Sequence, residues 1–334
     1  MNKKLSLLVM SLVLILVLAA CGANKGNNSA NTGNAPSNGD TSTPAAAAPS
    51  DDEELSITHQ LGTATLKKNP GNVVVFDYGT LESLDKLGVE VTGVPQSNLP
   101  PHLKKYEDSK YTNVGTLKEP DFEKLNAMKP GVIFISGRTG EAYEELNQIA
   151  PTIYLGVDNA RYLESMKENL AILGQIFGKE ADIEQEWGAI EESVKAIQDQ
   201  SAASEGKGLI ILTTGGKVSA YGPGSRFGII HDEFGITPVD ESIESSTHGQ
   251  SISFEFVAEK NPDYLFVIDR DAVVSQAGQE AQPASKLVEN DLVKKTNAYK
   301  NGKIIYLDAS YWYLSGGGLI SVPAMAKEVQ EGIK

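Results

Sequence analysis

An eighteen-residue segment occurs twice in this chain without a gap, 132 positions apart, and both copies close on arginine. Residues 121–138 read DFEKLNAMKPGVIFISGR and residues 253–270 read SFEFVAEKNPDYLFVIDR. Phe122 matches Phe254, Glu123 matches Glu255, Pro130 matches Pro262, Phe134 matches Phe266 and Arg138 matches Arg270. Leu125/Val257 and Ile135/Val267 keep apolar character at their positions. Each copy spells a helix, a proline-marked turn, a buried strand and a cation at the strand's exit. A chain that repeats such a unit is expected to build two similar halves. Each half then presents one carboxylate and one guanidinium at equivalent places.

The ends narrow the setting. Lys3 and Lys4 precede an apolar run over residues 5–18, and Leu18-Ala19-Ala20 leads into Cys21, the only cysteine. Residues 1–20 therefore read as an export signal, with an uncleaved helical anchor as the alternative. Disulfides within the chain and thiol chemistry beyond Cys21 are excluded. Residues 21–54 are dominated by Asn, Ser, Gly, Thr, Ala and Pro, a composition that buries too little surface to offset chain entropy, and read as a flexible linker. The 280 residues that follow are enough for two lobes of ordinary size. Losing residues 1–20 takes Lys3 and Lys4 away and moves the net charge from −15 to −17. Such an acidic surface argues against nucleic acid as a partner. Any anion site must be a local basic feature.

Short apolar runs at residues 73–76, 91–94, 132–135 and 153–155 alternate with helical patterns at 80–87, 122–128 and 141–149. That alternation predicts an α/β fold with mostly parallel sheet flanked by helices. Leu163, Met166, Leu170, Leu173 and Phe177 keep a helical stripe. Ile183, Trp187, Ile190, Val194 and Ile197 keep a second stripe through a charged run between the two repeat copies. A single long helix over residues 180–204 is thus expected to join an N-terminal lobe (55–179) to a C-terminal lobe (205–334); a surface helix within one domain is the alternative. The second lobe is expected to hold strands at 209–212 and 218–221, a helix at 227–234, a strand at 304–307 and a final helix after Gly318.

Only four of the 29 basic residues are arginine. Arg138, Arg226 and Arg270 follow predicted strands, where ligands of open α/β sheets bind. A guanidinium fork stays charged and grips oxygens in pairs, so three of them point to an anion. A surface salt bridge is the alternative for any one alone. Aromatic residues sit in the same loops: Tyr78, Tyr221, Phe227 and the run Tyr311-Trp312-Tyr313. Tyr221 and Trp312 are expected to wall the site, with His248 a further contact, although core packing explains such aromatics as readily. The sequence carries no G-x-S-x-G, no phosphate-loop motif and no spaced histidine pair, so neither a catalytic residue nor a protein metal ligand is assigned. Glu123 and Glu255 follow the helix-cap candidates Asp121 and Ser253. Favourable charge near a helix start accounts for them, and so does a pair of outward docking points.

The Leu-Ala-Ala-Cys sequence before the spacer, the paired lobes and the connecting helix together resemble the iron-siderophore and cobalamin-binding lipoproteins of ABC importers. Both copies fit that family's F-E-x-[LV]-x(3–5)-P-x-x-[IL] pattern. The resemblance covers residues 55–334 and is nearest to Gram-positive receptors for catecholate siderophores of the petrobactin type. GTLKEPDFEKL (115–125), APTIYLGVD (150–158), GPGSRFG (222–228), STHGQSISFE (246–255), NPDYLFVIDR (261–270) and WYLSGGG (312–318) carry it. The resemblance implies a helical-backbone, class III metal-receptor fold that moves little on binding, and a monomer without enzymatic activity. It implies a lipid on Cys21 and anchorage to the outer face of a Gram-positive cell membrane. It places the ligand's basic contacts on Arg138, Arg226 and Arg270, and contacts to arginines of the permease dimer, which works with its ATPase, on Glu123 and Glu255. The transported ligand would be a ferric siderophore whose chelator holds the iron without protein ligands. Haem, ferric citrate or cobalamin are the alternatives within the fold, and a surface-anchored α/β hydrolase is the alternative outside it.

Overall fold

A computed structural model describes residues 54–274 and 282–334. The export signal, Cys21 and all of the linker but Glu54 lie outside the described residues. Glu54 opens strand β1 (Glu54–His59), which pairs antiparallel with β2 (Gly62–Lys67). Leu55, Ile57, Ala64 and Leu66 are buried on one face of this hairpin, the two-residue period of a half-covered sheet. The sequence reading assigned no strand to it.

Strand β3 (Val73–Val75) is wholly buried and leads into helix α1 (Tyr78–Lys86). Asp77 caps that helix by accepting from the Thr80 amide at 2.8 Å. Strands β4 (Gly93–Val94) and β5 (Thr112–Asn113) precede helix α2 (Phe122–Met128) and strand β6 (Val132–Ile135). Helix α3 (Tyr143–Ile149) and strand β7 (Thr152–Tyr154) complete this part. The sheet order is β5-β4-β3-β6-β7, every pairing parallel, with the helices supplying the crossovers.

Helix α4 (Tyr162–Phe177) stops at Gly178, whose φ of +63° is the left-handed conformation glycine adopts freely. Helix α5 (Glu180–Ala202) runs 23 residues, about 34 Å at 1.5 Å each. Its expected stripe of Ile183, Trp187, Ile190, Val194 and Ile197 is buried throughout.

The second sheet starts with β8 (Lys207–Thr214), which turns at Gly215 and Gly216 into the antiparallel β9 (Lys217–Tyr221). The helix expected over 227–234 is only the single turn α6 (Ile229–Asp232), ended by Gly235 at φ +74°. Strand β10 (Thr237–Pro238) joins β8 in parallel, and β11 (Gln250–Ile252) joins β9 antiparallel. Helix α7 (Phe254–Lys260) then leads to β12 (Tyr264–Asp269), which lies between β8 and β13 (Ile304–Leu307), parallel to both. This sheet is therefore mixed where the first is parallel. A π-helical turn, Ser310–Leu314, and the C-terminal helix Ser321–Gly332 close the fold, the latter packed on α5.

The two repeat copies share geometry down to the backbone. Helices α2 and α7 are seven residues each, and Leu125 and Val257 at matching positions are both fully buried. Both helices end on a left-handed non-glycine residue at matching positions, Lys129 (φ 51°) and Asn261 (φ 47°). A proline follows each, and then the strand.

Candidate functional site

Arg138 lies just past β6, and Arg270 lies directly after β12 with its amide on the Thr213 carbonyl. Strands β6 and β12 are parallel members of their sheets, so each arginine leaves at a carboxyl edge, as the sequence pattern implied. Arg226 arrives differently. Strand β9 is antiparallel to β8, with Tyr221 opposite Ile210, so its end is not the edge that presents Arg270. The turn through Gly222 and Gly224 brings its side chain to the site instead.

All three guanidinium groups converge on Tyr313. Arg138 donates through Nη1 to the Leu314 carbonyl at 3.1 Å and through Nη2 to the Tyr313 carbonyl. Arg226 donates to the same Tyr313 carbonyl at 2.7 Å. Arg270 donates through Nε to the Tyr313 phenol oxygen at 2.8 Å and through Nη1 to Thr214 Oγ1 at 3.0 Å. The guanidinium carbons stand 4.2, 5.5 and 5.7 Å from the Tyr313 ring centroid for Arg226, Arg270 and Arg138. These are cation–π distances.

The electrostatics match that crowding. Burial and the neighbouring Arg226 charge both work against the Arg138 cation, while Asp77 opposes them. Burial would raise the Tyr313 phenol, but the Arg270 hydrogen bond and the charges of Arg226 and Arg270 take it below its ordinary value. Of these three arginines only Arg270 has a carboxylate of the described residues within ion-pair distance, Asp271 at 3.9 Å. Three half-buried cations with so little negative charge around them attract anionic oxygens, and each fork keeps donors free for them. Arg161, the remaining arginine, pairs with Glu164 and Glu168 on the surface and takes no part.

The other expected contacts are placed less uniformly. Trp312 is a correction: it is 3% exposed, donates its indole N–H to Glu328 Oε2 at 2.8 Å, and belongs to the core. Its neighbour Tyr313 stands where Trp312 was expected. Tyr221 is also buried, edge-on to Phe227, with its hydroxyl donating to the His248 carbonyl at 3.0 Å. Burial, against the pull of Arg226, pushes its phenol up to about 12. Tyr221 is hydrogen-bonded to none of the three arginines, although Arg226 and Tyr313 lie close enough to act on its phenol. His248 lies exposed on its loop and offers Tyr221 a backbone carbonyl, not its ring. Tyr78 is core too, donating to the Ser97 carbonyl at 2.6 Å. Glu123 and Glu255 are exposed in the first turns of α2 and α7, at matching places of the two copies. Among the described residues no three His, Cys, Asp or Glu side chains gather to hold a metal.

Tyr313 was visible in the sequence only as part of an aromatic run. The π-helical turn Ser310–Leu314 sets which of its members faces the arginines, and an irregular turn leaves no periodic signal.

Comparison with known proteins agrees with this architecture. Residues 73–311 match the family described as periplasmic binding protein. The petrobactin-binding protein YclQ of Bacillus subtilis is 45% identical over 336 residues, covering 99% of this chain and 99% of its own. Its crystal structure superimposes with a TM-score of 0.81 over 84% of this chain and 99% of that one, at 48% identity. The periplasmic catecholate-siderophore binding protein VctP of Vibrio cholerae gives 0.79 at 35% identity, over 84% of this chain and all of that one.

Proposed function

Because the chain belongs to the periplasmic binding protein family, whose members bind their substrates rather than transform them, we propose that it is the extracytoplasmic receptor of an ABC importer for a ferric catecholate siderophore of the petrobactin type. The single observation that carries the ligand class is the convergence of Arg138, Arg226 and Arg270 on Tyr313 with one carboxylate of the described residues within ion-pair distance. In a ferric catecholate the deprotonated catechol oxygens outnumber the iron's charge, so the complex is an anion with flat, electron-rich rings. Guanidinium forks suit both properties: they donate paired hydrogen bonds to the oxygens and stack against the rings. The chelator holds the iron, and the protein supplies charge, shape and donors. Relatives that bind petrobactin and catecholate siderophores support the same reading.

In this account Cys21 carries a lipid, and the protein works as a monomer tethered to the outer face of the cell membrane. Among the described residues no helix is long and apolar enough to cross a membrane. Glu123 and Glu255, exposed and equivalently placed, are the docking carboxylates for the two subunits of the permease, which its ATPase drives.

Fluorescence titration of the purified protein against ferric petrobactin, haem, ferric citrate and cobalamin tests the ligand class. We expect ferric petrobactin to bind at least about a hundredfold tighter than the others, ~2.8 kcal/mol. Equal or tighter binding of haem or cobalamin would remove the role assigned to the arginines.

A further inference from the structure

Helix α1 presents an unusual face to the C-terminal part of the chain. Gly79, Glu82, Ser83 and Lys86 recur at the i, i+3, i+4, i+7 spacing that shares one side of a helix. That side is polar, yet Gly79, Glu82 and Ser83 on it are buried. Its partner is the turn Gly316–Ser321, more than 230 residues away. The Glu82 side chain is fully buried, and its Oε1 accepts from the backbone amides of Ile320 (3.2 Å) and Ser321 (2.5 Å). Both amides stand at the start of the C-terminal helix, where donors have no helical acceptor. Ser83 Oγ accepts from the Leu319 amide at 3.0 Å, and Lys86 Nζ reaches the Leu319 carbonyl at 3.5 Å. A Cβ on Gly79 would run into the Gly316 carbonyl oxygen, so the contact is closed to any larger residue there.

The second oxygen of Glu82 leads back to the same segment by another route. Glu82 Oε2 lies 2.7 Å from His102 Nε2, so with Glu82 ionised the ring proton sits on Nε2. The His102 ring stacks on Tyr311 at 5.1 Å between centroids, and its Nδ1 is buried without a partner. Residues 311–321 are thus held at both ends by the pair of buried Glu82 and partly buried His102. Tyr313, where the three guanidiniums meet, lies between the two anchor points. A buried carboxylate is costly unless its lone pairs are filled, and here all its partners belong either to this segment or to the residue stacked on it.

We propose that Glu82 and His102 are positioning residues for the cleft: they fix the strap 311–321 and thereby set where Tyr313 stands among Arg138, Arg226 and Arg270. The inference rests on the reading of that arginine cluster as the ligand site. Neither residue touches the cluster; their effect on ligand passes through Tyr313.

Glu82→Leu removes both anchors while keeping the side chain's size, and Glu82→Gln keeps an acceptor for the two amides and a donor for His102. The readouts are amide hydrogen exchange across residues 313–321 in the ligand-free protein and affinity for a synthetic ferric biscatecholate. Glu82→Leu is expected to speed exchange and weaken affinity, each by about tenfold, the scale of an orphaned buried donor. Glu82→Gln should return both to within about threefold of wild type, as a retained hydrogen-bond set predicts. In a Tyr313→Ala background, Glu82→Leu should change affinity by less than about twofold, because the pair acts through that residue. Wild-type exchange in Glu82→Leu, or an undiminished affinity loss in the Tyr313→Ala background, would overturn the proposal. Should Glu82→Leu fail to fold, His102→Phe keeps the stack on Tyr311 and removes the partner of Glu82. It should speed exchange in the same amides, and unchanged exchange counts against the idea. If the wild-type protein ignores the biscatecholate, the ligand reading falls, while the exchange data still decide whether the pair holds the strap.

Discussion

The two copies of the repeated segment share helix, left-handed cap, proline and strand, and differ most in what their closing arginines hold. Helices α2 and α7, their left-handed caps and the prolines correspond residue for residue, and strands β6 and β12 start at matching positions, although β12 runs two residues further. At the exit, Arg138 spends its donors on the backbone carbonyls of Tyr313 and Leu314. Arg270 instead holds the Tyr313 phenol and Thr214. The scaffold is duplicated, but the centre of the site is not. A third segment outside both copies, carrying Tyr313, meets the two arginines and draws in Arg226 from an antiparallel strand. A repeated fold thus supplies equivalent mounting points, and one unrepeated turn gathers their arginines into an asymmetric cluster.

The outward side of the copies should behave symmetrically. Glu123→Ala and Glu255→Ala, made separately, are expected to lower siderophore uptake by similar factors. Together they should lower it by at least about tenfold, the scale of two lost interfacial charge contacts, with ligand affinity unchanged. Radiolabelled-iron uptake beside a binding titration checks this, and an effect confined to one glutamate would break the symmetry.

Acid should act on the second half through His231. Burial takes its pKa below the ordinary 6.5, against the bond to the Ile236 carbonyl. Between its folded pKa and 6.5 the unfolded chain binds the proton more readily. This histidine's contribution is therefore complete above that window and is lost as pH falls through it. Urea unfolding at pH 7.5 and 5.5 should show the loss, with a slope of at most ~1.4 kcal/mol per pH unit from one proton. His231→Gln should flatten it.

The smallest effect separates the helix caps. Lysine tolerates the left-handed region poorly, so Lys129→Gly should stabilise the protein by ~0.5 kcal/mol. Asn261 tolerates that conformation and also accepts from the Asn297 amide at 2.8 Å, so Asn261→Gly should be neutral or destabilising. Opposite signs in chemical denaturation would support the distinction; equal signs would remove it.

What the sequence disclosed follows from how local each signal is. Strand–helix alternation, the stripe of α5 and both repeat copies are written in neighbouring residues, and the structure reproduces them within a few positions. The β1–β2 hairpin has a clear two-residue alternation in Leu55 and Ile57, but the strand pattern is read only from residue 73, which leaves the hairpin inside the lobe without an element. The convergence of arginines was legible as a count of cations after strands. The antiparallel course of β9 is signalled by the Gly215-Gly216 turn that joins it to β8, but the route of Arg226 was not legible, because the irregular loop after β9 carries no periodic pattern. Choosing between Trp312 and Tyr313 required the phase of an irregular turn. Glu82 was hidden most completely: a glutamate on a short helix looks solvated until the distant amides that fill its oxygens are seen.

The central claim is that three guanidiniums gathered at Tyr313 bind an anionic ferric catecholate. The direct measurement is the dissociation constant of ferric petrobactin for wild type and for the Arg138→Ala, Arg226→Ala, Arg270→Ala triple variant, by fluorescence quenching at one fixed ionic strength. The account predicts at least about a thousandfold weakening, ~4 kcal/mol for three charge-assisted contacts, with the folded state retained by circular dichroism. Affinity within twofold of wild type would contradict it.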